Sequence, residues 1–132
     1  SYIRRVHLTS ELNELPEIEA NQGELVQIWL NVIKNACESL LGSNVDNPVL
    51  KVRSVYKIES IIVTISDNGP GIPKEMINKV FQPNFTTKKG GLSFGLGLGL
   101  SIVQQLIEGY NGQISVKSDD NNTEFKIVLP IN

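Results

Sequence analysis

The segment 23–41 constrains the fold most, because it has the pattern of one long amphipathic helix. Its apolar residues recur at intervals of three and four, as they do on the buried face of a helix. They are Leu25, Ile28, Trp29, Val32, Ile33, Ala36, Cys37 and Leu40. Gly42, Ser43 and Asn44, with Pro48 soon after, end the pattern. A second layer of structure is needed to cover so continuous an apolar stripe.

Runs of β-branched residues are the best candidates for that second layer. Segments 49–56 and 60–66 are separated by a short polar link, which predicts an antiparallel pair of strands. Segments 113–117 and 124–129 predict two further strands near the end of the chain. The remaining predicted elements are strands over 3–12 and, more briefly, 16–20, a helical turn within 74–80, and a helix over 97–108.

This mixture of helices and neighbouring hairpins predicts an α+β fold. We expect a two-layer α/β sandwich, in which a mixed, mostly antiparallel sheet of about five strands packs on about three helices. The 132 residues are expected to form a single domain over 1–132, because this length suffices for one hydrophobic core.

Composition argues against several classes of function. A formal net charge of −2 disfavours a general nucleic-acid or anionic-membrane binder. No stretch has the apolar length needed to span a bilayer, and no signal peptide is apparent, which favours a cytoplasmic domain. The single cysteine, Cys37, precludes an internal disulfide and a Cys-rich zinc site. Because Cys37 lies within the apolar stripe, it is better interpreted as a small buried hydrophobe than as a reactive thiol.

The polar face of the predicted helix carries residues that suit a metal ion and its phosphates. Gln27, Asn31, Lys34, Asn35 and Glu38 lie together on it, opposite the apolar stripe. Asparagine is a mediocre helix former, and the amide oxygens of Asn31 and Asn35, one turn apart, can meet a single ion. Mg²⁺ prefers hard oxygen ligands and usually retains its waters. The alternative is an ordinary solvated helix face.

A second candidate site residue is Asp67, at the end of the predicted strand 60–66. The apolar residues of this strand alternate, and Asp67 falls on their face, so its carboxylate points toward the core and needs a donor. The exocyclic amine of a base such as adenine would supply one. Gly69 and Gly71 follow and allow a tight turn and a close approach of the backbone to a planar ring. The alternative is a plain turn that ends a hairpin strand.

The third candidate is the run of alternating glycines at 95–99, which leads into the predicted helix 97–108. Glycines expose backbone N–H groups, and the start of a helix carries partial positive charge, which together suit phosphates. The run lacks the lysine and hydroxyl residue of a Walker loop and the context of a dinucleotide fingerprint. A flexible hinge before a helix is the alternative.

A long segment without an evident element, 81–95, precedes these glycines. A loop of this length in a small domain is usually a lid or a binding loop. Lys88 and Lys89 within it can either contact phosphates or form a solvated charge pair. His7, in a predicted strand with no acidic neighbour at helical spacing, is expected to be structural rather than a phosphate acceptor.

Taken in order, these segments resemble the catalytic, ATP-binding domain of sensor histidine kinases, within the Bergerat-fold (GHKL) ATPases. Segment 27–36 resembles the N box and segment 67–72 the G1 box. Segments 81–88 and 97–102 resemble the F box and the G2 box, and 123–125 resembles a short motif that helps to close the adenine site. The resemblance spans nearly the whole chain, and the order and spacing of four boxes make it specific.

The resemblance implies a role for each matching residue. Asn35 would coordinate Mg²⁺, with Asn31 and Lys34 near the phosphates as the other catalytic residues, and Asp67 would hydrogen-bond adenine with Thr123 nearby. A lid over about 81–96 would cover the triphosphate. The other nucleotide-binding residues would be Gly69, Gly71, Ile72, Phe85, Thr86, Lys88, Gly95, Leu96, Gly97, Leu98 and Gly99.

Three positions depart from the family pattern. Leu96 stands where relatives often have Thr or Ser, which removes one polar contact to the phosphates. Asn84 replaces a common second aromatic residue of the F box, and Asn122 replaces the usual glycine before Thr123. None of these removes a central ligand. They bear on affinity and on the order of the lid.

The resemblance implies a kinase module that works with other domains. No segment resembles an H box, so the γ-phosphoryl of ATP would pass to a histidine on a separate dimerisation domain of the same protein, for relay to a response regulator. The isolated domain is expected to be monomeric and to contact neither nucleic acid nor membrane, although the parent protein can be membrane-anchored.

Two other functions remain as alternatives. Bergerat ATPases of the topoisomerase or mismatch-repair type carry a glutamate one turn before the Mg²⁺ asparagine, to activate water. Asn31 occupies that position here and cannot accept a proton, while Glu38 lies on the other side of Asn35. A nucleotide-sensing module without catalysis is the second alternative, which the departures at Leu96 and Asn84 keep open.

Overall fold

The computed structural model describes residues 6–83 and 96–131 of the chain. Within these ranges it contains five strands and three helices. In chain order they are β1 (His7–Leu12), α1 (Gln22–Leu41), β2 (Val49–Lys57), β3 (Ser60–Asp67), α2 (Lys74–Ile77), α3 (Leu96–Gly109), β4 (Gln113–Asp119) and β5 (Asn122–Pro130).

The five strands form one sheet in the order β1-β2-β3-β5-β4. β1 runs parallel to β2, and every other neighbouring pair is antiparallel. α1 and α3 pack against each other and against the sheet, α1 over β2 and β3 and α3 beside β4. The expected α+β fold, with a mixed and mostly antiparallel sheet covered by helices, is confirmed.

The helix α1 forms where its apolar stripe predicts it. Asn21 caps its start, because the side-chain Oδ1 accepts a hydrogen bond from the backbone N–H of Glu24 at 3.0 Å. At its other end, the N–H of Gly42 donates to the Glu38 carbonyl. Four residues at intervals of four are fully buried against the sheet: Ile28, Val32, Ala36 and Leu40. The other four residues of the predicted stripe pack against the same core.

The strand β3 supplies the other half of this core. Its burial alternates residue by residue, with Ile61, Val63, Ile65 and Asp67 on the buried face. β5 alternates in the same way beside it and contributes Phe125 at the centre of the core. Successive side chains of a strand point to opposite faces of the sheet, so every second residue is buried. This alternation places Asp67 on the buried face.

The turn between β2 and β3 has an unusual composition. Ile58 and Glu59 form the two-residue link, and both adopt positive φ angles, of 54° and 56°. Positive φ at both central positions is what a type I′ hairpin turn requires, and Asn-Gly is its usual sequence. Because Ile58 is 85% exposed, its side chain gains little packing in return. The local geometry of the hairpin is therefore imposed by the pairing of the two strands.

Some predicted boundaries were wrong. Residues 16–20 form no strand, because Asn13 makes the last contacts to Ser54 and the chain then leaves the sheet to reach α1. For the predicted strand 3–12, the described part begins at Val6, which precedes the strand His7–Leu12, and positions 1–5 lie outside the described residues. The helical turn predicted within 74–80 is the four-residue α2, and the helix predicted over 97–108 is one residue longer at each end.

Candidate functional site

One flank of α1 connects two parts of the predicted site. Asn31, Asn35 and Ser39 recur every four residues and therefore lie in a row along this flank, which spans about 12 Å over two turns. All three are half-buried. The row reaches Gly99 of α3 at one end and Gly69 at the other.

At the first end of this row, Asn31 contacts the first turn of α3. Its Nδ2 donates to the carbonyl of Gly99 over a long distance of 3.5 Å. A Cβ added to Gly99 would lie 4.0 Å from Asn31 Cγ, so the two helices approach closely here without a clash. Leu96, Gly97 and Leu98 belong to the same turn of α3. The backbone N–H groups of such a turn have no partner within the helix and carry its partial positive charge.

At the second end, Asp67 is almost fully buried, with 3% of its surface exposed. The backbone N–H of Gly69 donates to its Oδ1 at 2.9 Å. Burial raises the pKa of Asp67 to about 6, and the Gly69 hydrogen bond opposes this increase. The carboxylate is therefore charged at neutral pH, and burying this charge lowers the stability of the folded domain. A ligand that donates a hydrogen bond to the carboxylate would reduce this cost.

The turn after Asp67 requires glycine at two positions. A Cβ on Gly69 would lie 2.8 Å from Asp67 Oδ1 and 2.9 Å from Ser39 Oγ. Gly71 has a φ of +82°, and a Cβ there would overlap the carbonyl oxygen of Asp119. Both glycines allow the turn to lie directly against its neighbours, as their place in the sequence predicted.

Thr123 lies beside Asp67 across the sheet. The two residues are partners in the β3–β5 register, and Thr123 is 5% exposed. Its hydroxyl lies 3.0 Å from that of Ser118, its own partner in the β4–β5 register. Ser118 Oγ also accepts the backbone N–H of Ile72 at 2.7 Å. Asp67, Thr123 and Ser118, on three neighbouring strands, thus lie in one row across the sheet. Ser118 also attaches the turn after Asp67 through its hydrogen bond with Ile72.

Asn68, between Asp67 and Gly69, has a structural role. Its Oδ1 accepts the backbone N–H of Val49 at 2.7 Å, and its Nδ2 donates to the carbonyl of Asn47 at 3.1 Å. These bonds attach the turn to the start of β2. A cavity of about 500 Å³ opens beside it. The cavity is bordered by Gly69 but not by Asn31 or Asn35, so it adjoins only the Asp67 end of the row.

The remaining candidate residues lie elsewhere. Lys34 is exposed on α1, and His7 is exposed in the edge strand β1. Cys37 is half-buried against the core, and its pKa is raised by burial and, to a lesser extent, by the charge of Asp67. The thiol therefore stays protonated and acts as a small hydrophobe. The lid residues lie outside the described residues: Asn84, Phe85, Thr86, Lys88, Lys89 and Gly95.

Two residues of the site were not predicted from the sequence. The sequence signal for Ser39 is that it continues the four-residue spacing of Asn31 and Asn35. Ser118 lies one residue beyond the predicted strand 113–117, and its parity with the half-buried Ile114 and Val116 would have placed it on the inner face. Among residues 6–83 and 96–131, no group of three or more His, Cys, Asp or Glu side chains could hold a metal ion.

Comparison with known proteins identifies the family of the chain. Residues 20–132 match the family described as histidine kinase-, DNA gyrase B-, and HSP90-like ATPases, and the chain belongs to that family. Membership identifies it as a nucleotide-using ATPase domain, and the predicted resemblance is confirmed. Within the described parts of the chain, no helix is both long and apolar enough to cross a membrane.

Individual relatives show which type of ATPase domain within this family the chain resembles. The catalytic domain of histidine kinase ThkA has 30% identity and a TM-score of 0.78, over 96% of this chain and 79% of that one. The sensory histidine kinase/phosphatase NtrB of Vibrio alginolyticus is 37% identical over 125 residues, and that of Rhizobium meliloti is 32% identical over 144 residues. These matches cover 89% and 98% of this chain but 35% and 36% of the relatives. The chain is thus a catalytic domain of the histidine kinase type, about a third as long as these relatives.

Proposed function

We propose that this domain binds MgATP along the α1 flank and transfers the γ-phosphoryl group to a histidine on a separate domain. The observation that carries the proposal is the row of Asn31, Asn35 and Ser39. It extends from the first turn of α3 to the turn after Asp67. A nucleotide lying along this row would meet an acceptor for its base at one end and backbone N–H groups for its phosphates at the other.

The Asp67 end suits an amine-bearing base. A buried carboxylate with one donor, Gly69, has acceptor capacity left for the exocyclic amine of adenine. The close approach at Gly69 and Gly71 leaves the turn without side chains that would obstruct a flat ring. Thr123 adds a hydroxyl in the next strand, and Ile72 follows the turn. We therefore assign these five residues to the base.

The Asn31 end suits the phosphates and Mg²⁺. The amide oxygen of Asn35 is the one ligand we assign from this chain, because Mg²⁺ in nucleotide sites takes few protein ligands and completes its shell with phosphate oxygens and water. When bound, the ion would neutralise charge on the transferred phosphoryl group. Lys34 is assigned to the edge of this subsite.

The residues before and within the first turn of α3 are assigned to the phosphates by their match to the family motifs. They are Phe85, Thr86, Lys88, Gly95, Leu96, Gly97, Leu98 and Gly99. For the last four, the start of α3 at Leu96 supports the assignment, because the backbone N–H groups of its first turn are free of intrahelical bonds.

Transfer is favoured over hydrolysis by the chemistry of Asn31. A hydrolase needs a base to activate water, and an amide cannot accept that proton. In this structure the Asn31 amide group instead donates toward Gly99. Phosphoryl transfer to a histidine needs positioning and charge neutralisation rather than a base on this domain.

The acceptor is assigned to another domain. The one histidine of the chain, His7, lies on the exposed edge strand β1 rather than on a helix. The relatives are sensor histidine kinases about three times as long as this chain. We propose that their additional length corresponds here to a dimerisation domain with the acceptor histidine, and that a response regulator receives the phosphoryl group.

The test is a transfer assay. The domain is mixed with γ-labelled ATP, Mg²⁺ and the histidine-bearing domain of its own protein, and acid-labile, base-stable phosphate is measured on the acceptor. His7→Ala serves as the control, because it removes the histidine of this chain and should leave transfer unchanged. If ATP binds but no phosphohistidine forms, the domain is not a kinase module. Phosphate release without acceptor, faster than transfer, would instead support the hydrolase.

A further inference from the structure

We propose that Ser118 is a positioning residue that makes the base subsite selective for an amine over a carbonyl group. It does so by fixing the direction of the hydrogen bond of Thr123. The inference rests on the proposed function, since it assumes that the base lies beside Asp67 and Thr123. It concerns a residue that touches the subsite only through its neighbours.

The geometry places Ser118 at the end of a polar row. Asp67 pairs with Thr123 between β3 and β5, and Thr123 pairs with Ser118 between β5 and β4. Asp67 and Thr123 are buried and Ser118 is half-buried on the same face of the sheet. The Ser118 and Thr123 hydroxyl oxygens are 3.0 Å apart, so a proton of one or the other joins them.

The direction of that proton follows from the other partners of Ser118. Its Oγ accepts the N–H of Ile72 at 2.7 Å and lies 3.0 Å from the carbonyl oxygen of Asn122 and 3.4 Å from that of Asp119. A hydroxyl has one proton and two lone pairs. When Ser118 donates to Asn122 and accepts from both Ile72 and Thr123, its hydrogen-bonding capacity is complete. The reverse direction would deprive the Asn122 carbonyl of this donor.

In the favoured arrangement, the proton of Thr123 is used within the protein. Thr123 then presents only lone pairs to the base, as Asp67 does with its carboxylate. Two acceptors side by side bind an amino group and repel a carbonyl oxygen. ATP, with a 6-amino group, should therefore bind much better than ITP, which differs by a 6-carbonyl group and a proton on the adjacent ring nitrogen.

Removing the Ser118 hydroxyl should relax this selectivity. In Ser118→Ala, the Thr123 hydroxyl has lost its acceptor and can rotate to donate to a carbonyl oxygen. ATP binding should weaken about fivefold, because Thr123 no longer holds a lone pair toward the amino group, whereas ITP binding should change little, because the freed Thr123 proton can face its carbonyl oxygen. The ATP-to-ITP affinity ratio should therefore fall by about fivefold. Ser118→Thr retains the hydroxyl and should preserve the ratio.

The experiment measures the dissociation constants of MgATP and MgITP by calorimetry for the 132-residue chain and its variants. Ser115→Ala is the matched control, because it makes the same change on the same strand at an exposed position. Thr123→Val provides a second arm, since it removes the hydroxyl that Ser118 orients. If Ser118 acts through Thr123, adding Ser118→Ala to Thr123→Val should not change the ratio further.

The outcomes separate the possibilities. Equal weakening of ATP and ITP in Ser118→Ala would mean that Ser118 only supports the fold, which overturns the inference. The inference would also be overturned if Ser118→Ala left the ATP-to-ITP affinity ratio unchanged. The same holds if Ser118→Ala lowered this ratio as much in the Thr123→Val background as in the wild type. A wild-type domain that binds no ATP would contradict the proposed function itself, and the inference with it. Should Ser118→Ala fail to fold, the Thr123→Val and Ser118→Thr ratios still decide, because the first must fall and the second must not.

Discussion

Replacing Asp67 with asparagine should stabilise the unliganded domain while weakening its binding of ATP. The carboxylate is 3% exposed, and burial raises its pKa from 3.8 to about 6. The folded protein therefore bears a cost for keeping this group ionised. Asparagine has nearly the same shape and no charge, and its Oδ1 can still accept the Gly69 N–H.

The size of the effect follows from the pKa. A shift of about two units corresponds to about 3 kcal/mol, which is an upper value for the gain in the free energy of unfolding. We expect about 1–3 kcal/mol at pH 8. Because the folded-state pKa is raised, the folded protein binds more protons than the unfolded chain between about pH 4 and 6. The contribution of Asp67 to the free energy of unfolding of the wild type is thus most favourable below about pH 4. It is lost as the pH rises through about 6.

The effect on binding has the opposite sign. In the proposed complex, the Asp67 carboxylate accepts a charge-assisted hydrogen bond from the amine of adenine. The asparagine of the variant would not accept this bond, because its oxygen keeps the bond from Gly69 and its NH₂ group then faces the amine. Loss of such a bond should weaken ATP about 10-fold to 100-fold. Wild-type affinity should also fall below about pH 6 as Asp67 becomes protonated, whereas the Asp67→Asn variant should lack this component.

Urea unfolding and calorimetric ATP titration, each at pH 5 and pH 8, measure both effects. Asp46→Asn is the control for loss of one negative charge at an exposed position. The stability difference between Asp67→Asn and wild type should be larger at pH 8 than at pH 5. A variant that is no more stable than wild type at pH 8 would refute the cost assigned to burial. Unchanged ATP affinity would remove Asp67 from the base subsite.

Three further variants test other parts of the site and fold. Asn35→Asp should alter the Mg²⁺ concentration needed for ATP binding by several-fold, because a carboxylate replaces a neutral ligand. Gly99→Ala should leave stability unchanged or raise it by about 1 kcal/mol, because the nearest atom is 4.0 Å away and alanine favours a helix, yet it should weaken ATP binding if phosphates approach this backbone. Replacing Ile58-Glu59 with Asn-Gly should raise the free energy of unfolding by about 1–2 kcal/mol, since both positions have positive φ, and should leave ATP binding unchanged.

Each of these predictions has a clear contrary result. An identical Mg²⁺ requirement in Asn35→Asp would exclude Asn35 as a ligand. Full ATP affinity in Gly99→Ala would favour the hinge interpretation of the glycine run. If the Asn-Gly turn is no more stable in urea unfolding than the native one, the positive φ angles at Ile58 and Glu59 carry no measurable strain.

Several elements could be predicted from the sequence because their signals are local. The stripe of α1 recurs within every turn of the helix, and the alternation of β3 carries through to Asp67 without reference to any other strand. The false strand at 16–20 shows the limit of such signals. A short stretch can have a suitable composition and still find no neighbouring strand edge to pair with, since Asn13 already marks the end of the β1 contacts.

The composition of the site likewise divides into two parts. Spacing along one helix and parity along one strand mark Asn31, Asn35 and Asp67 as residues that could take part. Only the tertiary structure determined that Ser39 meets Gly69 and that Ser118 reaches Asp67 through Thr123. These contacts join segments far apart along the chain, as in Ser118 to Ile72, 46 residues apart. No local periodicity encodes them, because they depend on the order and register in which the strands pair.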